Sequence, residues 1–155
     1  MKPNSPRIFI DADACPVRNE TINIAGRHKL EIFFVSNGGI RPINNPLVRN
    51  IIVENTPDAA DKWIVKEILP NDIVVTEDII LAEKCIKKNA SVLSHQGKQF
   101  TLDNIGIKVA TRELMAMIRS SNPFHKNKGK PLSKNNKISY SNQLEKIIQF
   151  ITKSL

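Results

Sequence analysis

The chain has 155 residues, 41% of them hydrophobic and 25% charged, with a formal net charge of +8. That length and balance indicate one globular domain with a substantial core. They exclude a membrane-spanning protein, because no apolar run approaches the ~20 residues a span needs, and the opening MKPNSPRIF lacks the apolar core of a signal peptide. Cytoplasm is the expected compartment. Two cysteines, Cys15 and Cys85, show no metal-ligand spacing and read as small buried hydrophobes.

The first predicted element is a strand, Ile8-Phe9-Ile10, whose unbroken hydrophobicity suits a parallel sheet covered on both faces. It runs into Asp11 and Asp13, with Pro16 suited to the first turn of a helix over 16–28. Asp13 is equally suited to capping that helix, which leaves Asp11 without a structural role. Leu30–Val35 is a second strand, ended by the loop residues Ser36-Asn37-Gly38-Gly39. Residues 40–50 hold Pro42 and Pro46 and read as irregular or a short helix. Ile51-Ile52-Val53 makes a third strand. Thr56 is a candidate N-cap and Pro57 a first helical residue for a helix that Pro70 ends. A fourth strand, Ile73-Val74-Val75, precedes a helix over 79–88, and a fifth, Ser91-Val92-Leu93, precedes a His95-Gln96-Gly97 turn. A longer helix spans 104–120. After a basic segment at 122–137, Leu144, Ile147, Ile148 and Ile151 mark a final amphipathic helix over 138–155. Alternating strands and helices imply βαβ units in a three-layer α/β/α sandwich with a mainly parallel, five-stranded sheet.

Charge is unevenly placed. Residues 122–155 hold seven Lys and one Glu, a net of +6, so most of the +8 lies in the tail. Such a segment attracts phosphate backbones; its Asn, Lys, Gly and Pro content also suits a solvated linker.

Acids recur at equivalent places. Asp11 and Asp13 follow the first strand, Asp58 and Asp61 lie three apart on one face of the 57–69 helix, and Thr76-Glu77-Asp78 follows the fourth strand. Each has an ordinary alternative, as an N-cap or as a complement to the helix dipole. A parallel sheet nevertheless brings these places together at its carboxyl edge, where ligands gather. Oxygen donors in this number suit Mg²⁺ or Mn²⁺, which acts on phosphodiesters. The expected metal ligands are Asp11, Asp13, Asp58, Asp61 and Asp78, the first two and last two of these also catalytic. Thr76 is expected to orient a water, and Arg18 and Lys62 to meet substrate phosphate. His28, His95 and His125 read as surface or turn residues. Gly38-Gly39 alone is a weak phosphate signal.

IFIDADACPVRNE, DAADKWIV, VVTEDIILAEK, ASVLSHQGKQFTLDNI and LMAMIR, in that order over residues 7–121, resemble the YaiI/YqxD family of uncharacterised bacterial proteins. Beyond residue 121 the likeness weakens: Asn136 and Lys137 stand where the family pattern leads one to expect an acid and Arg. That family is in turn similar to PIN-like nucleases. The resemblance implies a PIN-like fold, with Asp11 as the acid after the first strand, Asp78 as that of the Thr-x-Asp motif, and Asp58 or Asp61 as the helical acid. The implied activity is metal-dependent RNA cleavage. Two other readings remain open. A phosphatase of the haloacid-dehalogenase type also begins strand-Asp-x-Asp, although no Gly-Asp-x-x-x-Asp follows here. A non-catalytic nucleic-acid-binding protein would use the basic tail, without aromatic platforms for stacking.

Overall fold

The computed structural model describes residues 5–12, 15–39, 41–56, 58–121 and 133–154. The elements, in chain order, are β1 (Ile8–Asp11), α1 (Arg18–His28), β2 (Ile32–Ser36), β3 (Val48–Ile52), α2 (Ala59–Glu67), β4 (Ile73–Val75), α3 (Ile79–Lys87), β5 (Ser91–Leu93), β6 (Gln99–Phe100), α4 (Leu102–Ser121) and α5 (Lys134–Ser154). The expected α/β sandwich is present with six strands, in the order β3-β2-β1-β4-β5-β6. All neighbours pair in parallel except β5 and β6.

The sixth strand is the first departure from expectation. Gln99 and Phe100 are too short a stretch to show a period, yet the turn ending at Gly97 folds them back antiparallel on Leu93 and Val92. Gly97 is required there. Its φ is +86°, and a Cβ would lie 2.6 Å from the Ser139 carbonyl carbon in α5. The second departure is β3, which begins at Val48 rather than Ile51. Its burial explains this: Arg49 and Asn50 are exposed on this edge strand, so Val48 is its one buried residue. In the third, Thr56 does not cap α2. The N-cap is Asp58, in the left-handed region at φ 67°, with no side-chain capping bond.

Strand residues alternate between two cores, as a period of two requires. Ile8, Ile10, Ile32, Phe34, Ile73 and Val75 face α1 and α5, which contributes Tyr140, Leu144, Ile147, Ile148 and Ile151. The Tyr140 hydroxyl lies 2.6 Å from that of Thr21, tying α5 to α1. Phe9, Val35, Val74, Val92 and Phe100 face α2, α3 and the start of α4. At the amino-terminal end of the β1–β4 pair, Asp72 accepts bonds from the Arg7 backbone N–H, Nε and guanidinium (2.7 Å) and from the Leu69 N–H. The Arg7 guanidinium also lies over the rings of Phe9 and Phe33. Both cysteines are buried, and burial pushes the Cys15 thiol up to about 11 and that of Cys85 to about 12. Among the described residues no helix is long and apolar enough to cross a membrane.

Candidate active site at the carboxyl edge of the sheet

After β1 the chain builds β2 and β3 on one side and then returns to place β4 on the other. The carboxyl ends of β1 and β4 therefore diverge into a crevice, the usual ligand position in open α/β sheets. The Ile10–Val75 register sets Asp11 beside Thr76. Thr76 is buried, and its hydroxyl is 3.5 Å from Asp11 Oδ2, a bond it donates. The Thr76 hydroxyl oxygen in turn accepts the Asp78 N–H at 3.0 Å. Thr76 thus couples two acids of the site.

Asp78 has both of the roles that the sequence left open. Its Oδ1 accepts the N–H groups of Ile80 (2.9 Å) and Leu81 (3.3 Å) as the N-cap of α3. Its carboxyl also borders the crevice. Asp61, in the first turn of α2, is hydrogen bonded to Asp78. Burial and the negative charges of Asp78, Asp11 and Asp58 push the Asp61 carboxyl up to about 7.

The cavity has a volume of about 400 Å³. Asp11, Asp58, Asp61 and Asp78 line it, as expected, and so do Glu54, Asn37, Asn55 and Thr56, which the sequence did not mark as site residues. Their signal was positional: Asn37 follows β2, and Glu54 to Thr56 follow β3, both at the edge that already held the aspartates. Asn37 Nδ2 donates to Asn55 Oδ1 at 3.1 Å, joining the two loops. Among the described residues, no Lys or Arg lines the cavity.

Asp13 lies outside the described residues, as do Pro57, His125 and residues 122–132 of the basic segment. Lys62 is exposed on α2 and Arg18 is set against the Phe34 ring, 5.8 Å from its centroid; neither lines the cavity. His95 does stand in a turn, but its side chain is buried rather than at the surface, because the β5–β6 hairpin doubles back there. Its backbone N–H donates to Glu77 Oε1 at 2.6 Å, its Nε2 has no partner among the described residues, and burial lowers its pKa. His28 is half-buried and pairs with Glu145 of α5.

Among the described residues, no three His, Cys, Asp or Glu side chains are grouped closely enough to hold a metal ion. The donor chemistry nevertheless fits Mg²⁺, which keeps several waters and needs only one or two protein carboxylates. The raised pKa of Asp61 reflects burial first and then the neighbouring acids Asp78, Asp11 and Asp58.

The model of the YaiI/YqxD family of uncharacterised bacterial proteins matches residues 9–150. A UPF0178 protein of Ruegeria pomeroyi is 47% identical over 143 residues, covering 92% of this chain and 93% of the relative. One of Roseobacter denitrificans is 45% identical over 142 residues, covering 92% and 94%, and one of Agrobacterium fabrum is 46% identical over 121 residues, covering 78% and 79%. No solved structure matches. The match spans both the sheet and most of α5, and on that extent and identity the chain belongs to the YaiI/YqxD (UPF0178) family.

Proposed function

We propose that this chain is a divalent-metal-dependent phosphodiesterase that cleaves RNA. The observation that carries the reading is the meeting of Asp11, Asp61 and Asp78, from three separate βα units, in one cavity where burial and then the neighbouring carboxylates lift Asp61 to about 7. Like charges so placed are costly without a counter-charge. One or two of Asp11, Asp61 and Asp78 would hold Mg²⁺ or Mn²⁺, with water completing its coordination; Asp13, outside the described residues, and Asp58 are the further ligands expected from the sequence. The cation, when bound, offsets charge that develops on the phosphodiester oxygens.

The chain's own residues position this chemistry. Thr76 holds Asp11 and the backbone of Asp78 in register, and the cap bonds fix the Asp78 side chain on α3. With its hydroxyl bonded in this way, Thr76 acts here by orienting carboxylates. Asp61 holds a proton below pH about 7 and donates it to Asp78, so a cation competes with that proton for the pair. RNA as substrate is supported by the resemblance to PIN-like nucleases and by the net +6 of residues 122–155. Arg18 and Lys62 lie outside the cavity, so in this reading they would meet flanking phosphates rather than the scissile one.

The test pairs calorimetric titration with Mn²⁺ and a cleavage assay on labelled single-stranded RNA, using wild type, Asp11→Asn and Asp78→Asn. Metal-dependent cleavage lost in both variants, with weakened Mn²⁺ binding, supports the reading. RNA left intact under all metals, or variants that bind Mn²⁺ as wild type does, overturns it.

A further inference from the structure

We propose that the loops after β2 and β3 form the nucleoside subsite of the cavity: Asn55, held in place by Asn37, donates to the uncharged hydrogen-bonding edge of the nucleotide next to the bond that is cut. The inference rests on the phosphodiesterase reading and gives a role to the part of the cavity which that reading leaves idle.

The two sides of the cavity differ in chemistry. Asp11, Asp61 and Asp78 come from the end of β1, the first turn of α2 and the cap of α3. Asn37, Glu54, Asn55 and Thr56 come from the loops after β2 and β3. These loops bring two amides and a hydroxyl, with the Glu54 carboxylate as an acceptor, and among the described residues no Lys or Arg joins them. Neutral donors beside an acceptor match ribose hydroxyls and base edges, which both donate and accept. Phosphate oxygens only accept, and a cationic side chain would serve them better. The volume of about 400 Å³ lies at the small end of the roughly 300–1,000 Å³ usual for ligand pockets, which suits one nucleotide rather than a duplex.

The backbone holds the donors in place. The Val53 N–H bonds the Ser36 carbonyl at 2.8 Å, carrying the β2–β3 pairing one step past Ile52. Asn37 follows Ser36 directly and Asn55 comes two residues after Val53, so the two amides meet across the loops, Asn37 Nδ2 donating to Asn55 Oδ1 at 3.1 Å. Asn37 Oδ1 accepts the Gly39 N–H at 3.2 Å, which fixes the way its amide faces. With its Oδ1 taken by Asn37, Asn55 has Nδ2 left over, and that nitrogen bonds nothing among the described residues. Both asparagines are exposed. The Asn55 amide is therefore a fixed donor at the cavity wall that no printed contact of the fold consumes, ready for a ligand group without reorganisation.

The experiment compares wild type and Asn55→Ala on a labelled single-stranded RNA in Mn²⁺. The variant is expected to lose about fivefold in kcat/KM, with Mn²⁺ affinity by calorimetry and far-ultraviolet dichroism unchanged. Changes in the substrate then identify the edge. If Asn55 meets the ribose, removing the 2′-hydroxyl next to the cleaved bond slows the wild type about fivefold and Asn55→Ala no further. If it meets the base, exchanging that base has this effect instead. A variant that cleaves as wild type does, or that still loses in full on both substrate changes, overturns the subsite and leaves the phosphodiesterase reading standing. A wild type that leaves RNA intact overturns that reading, and the subsite is then decided without cleavage. Titrating adenosine or cytidine into the full chain is expected to move the Asn55 side-chain amide signals in nuclear magnetic resonance spectra; signals unmoved by both nucleosides overturn it.

Discussion

The carboxyls of Asp61 and Asp78 are hydrogen bonded to each other across the space between α2 and α3, and burial together with the charges of Asp78, Asp11 and Asp58 pushes the Asp61 carboxyl up to about 7. A cap residue on one helix and a first-turn acid on another thereby form one electrostatically linked unit.

That unit makes stability depend on pH in a stated direction. In the unfolded chain Asp61 loses its proton near 3.8; in the folded chain it does so near 7. Between those values the folded state binds the extra proton, so this contribution is largest at the acid end and falls as pH rises to about 7. The side chain is only half-buried, and with solvent screening the effect is discounted to about 1 kcal/mol. Asp61→Asn is expected to remove this slope. Melting temperatures of both proteins from pH 5 to 8, compared as a difference, check it; parallel curves refute it.

Metal should relieve the same repulsion. Mg²⁺ or Mn²⁺ at a hundredfold excess over Kd is expected to stabilise the wild type by about 2.7 kcal/mol. Asp11→Asn, with one fewer like charge, should be at least as stable as wild type without metal and gain less from it. Equal metal-induced shifts in melting temperature would leave Asp11 with a structural role alone.

The opposite end of the β1–β4 pair depends on Asp72, whose carboxylate is nearly buried under the Arg7 guanidinium. Asp72→Ala leaves Arg7 and the Leu69 N–H without their acceptor and is expected to cost about 3 kcal/mol. Urea unfolding measures this. A drop below ~1 kcal/mol would mean that the pair behaves as an ordinary surface salt bridge.

Gly97→Ala is expected to cost more than ~2 kcal/mol, because the Cβ would overlap backbone at Ser139 at a φ that L-residues seldom adopt. The same unfolding experiment tests it, and a near-neutral result would show that α5 shifts away freely.

Neutralising the tail isolates its electrostatic part. Lys126, Lys128, Lys130 and Lys134 changed to Gln keep the residues of α5 that pack on α1, Tyr140, Leu144 and Ile148. RNA affinity should fall, and its salt slope should flatten by about 0.7 for each single-strand phosphate that the tail no longer neutralises. An unchanged slope, measured by fluorescence anisotropy over roughly 50–200 mM salt, would make the segment a solvated linker.

By itself the sequence determined the α/β class, the positions of β1, β4 and α3, and the edge at which Asp11, Asp58, Asp61 and Asp78 collect. It could do so because continuous apolar runs and helix-start residues are local signals, and a parallel sheet converts their order into one shared edge. Only the tertiary structure decided the rest. β6 is two residues long and exists because Gly97 returns the chain against β5, which a periodic pattern cannot record. Asp58 takes the N-cap in a left-handed conformation that no residue-type preference demands. His95 is buried because the hairpin closes over it, not because of anything in its neighbours along the chain. Most of all, the hydrogen bond between Asp61 and Asp78 requires two helices to set their first turns side by side, although the two residues are seventeen apart in sequence. Distance between side chains, and the burial that raises a carboxyl, are properties of packing, and packing is long-range.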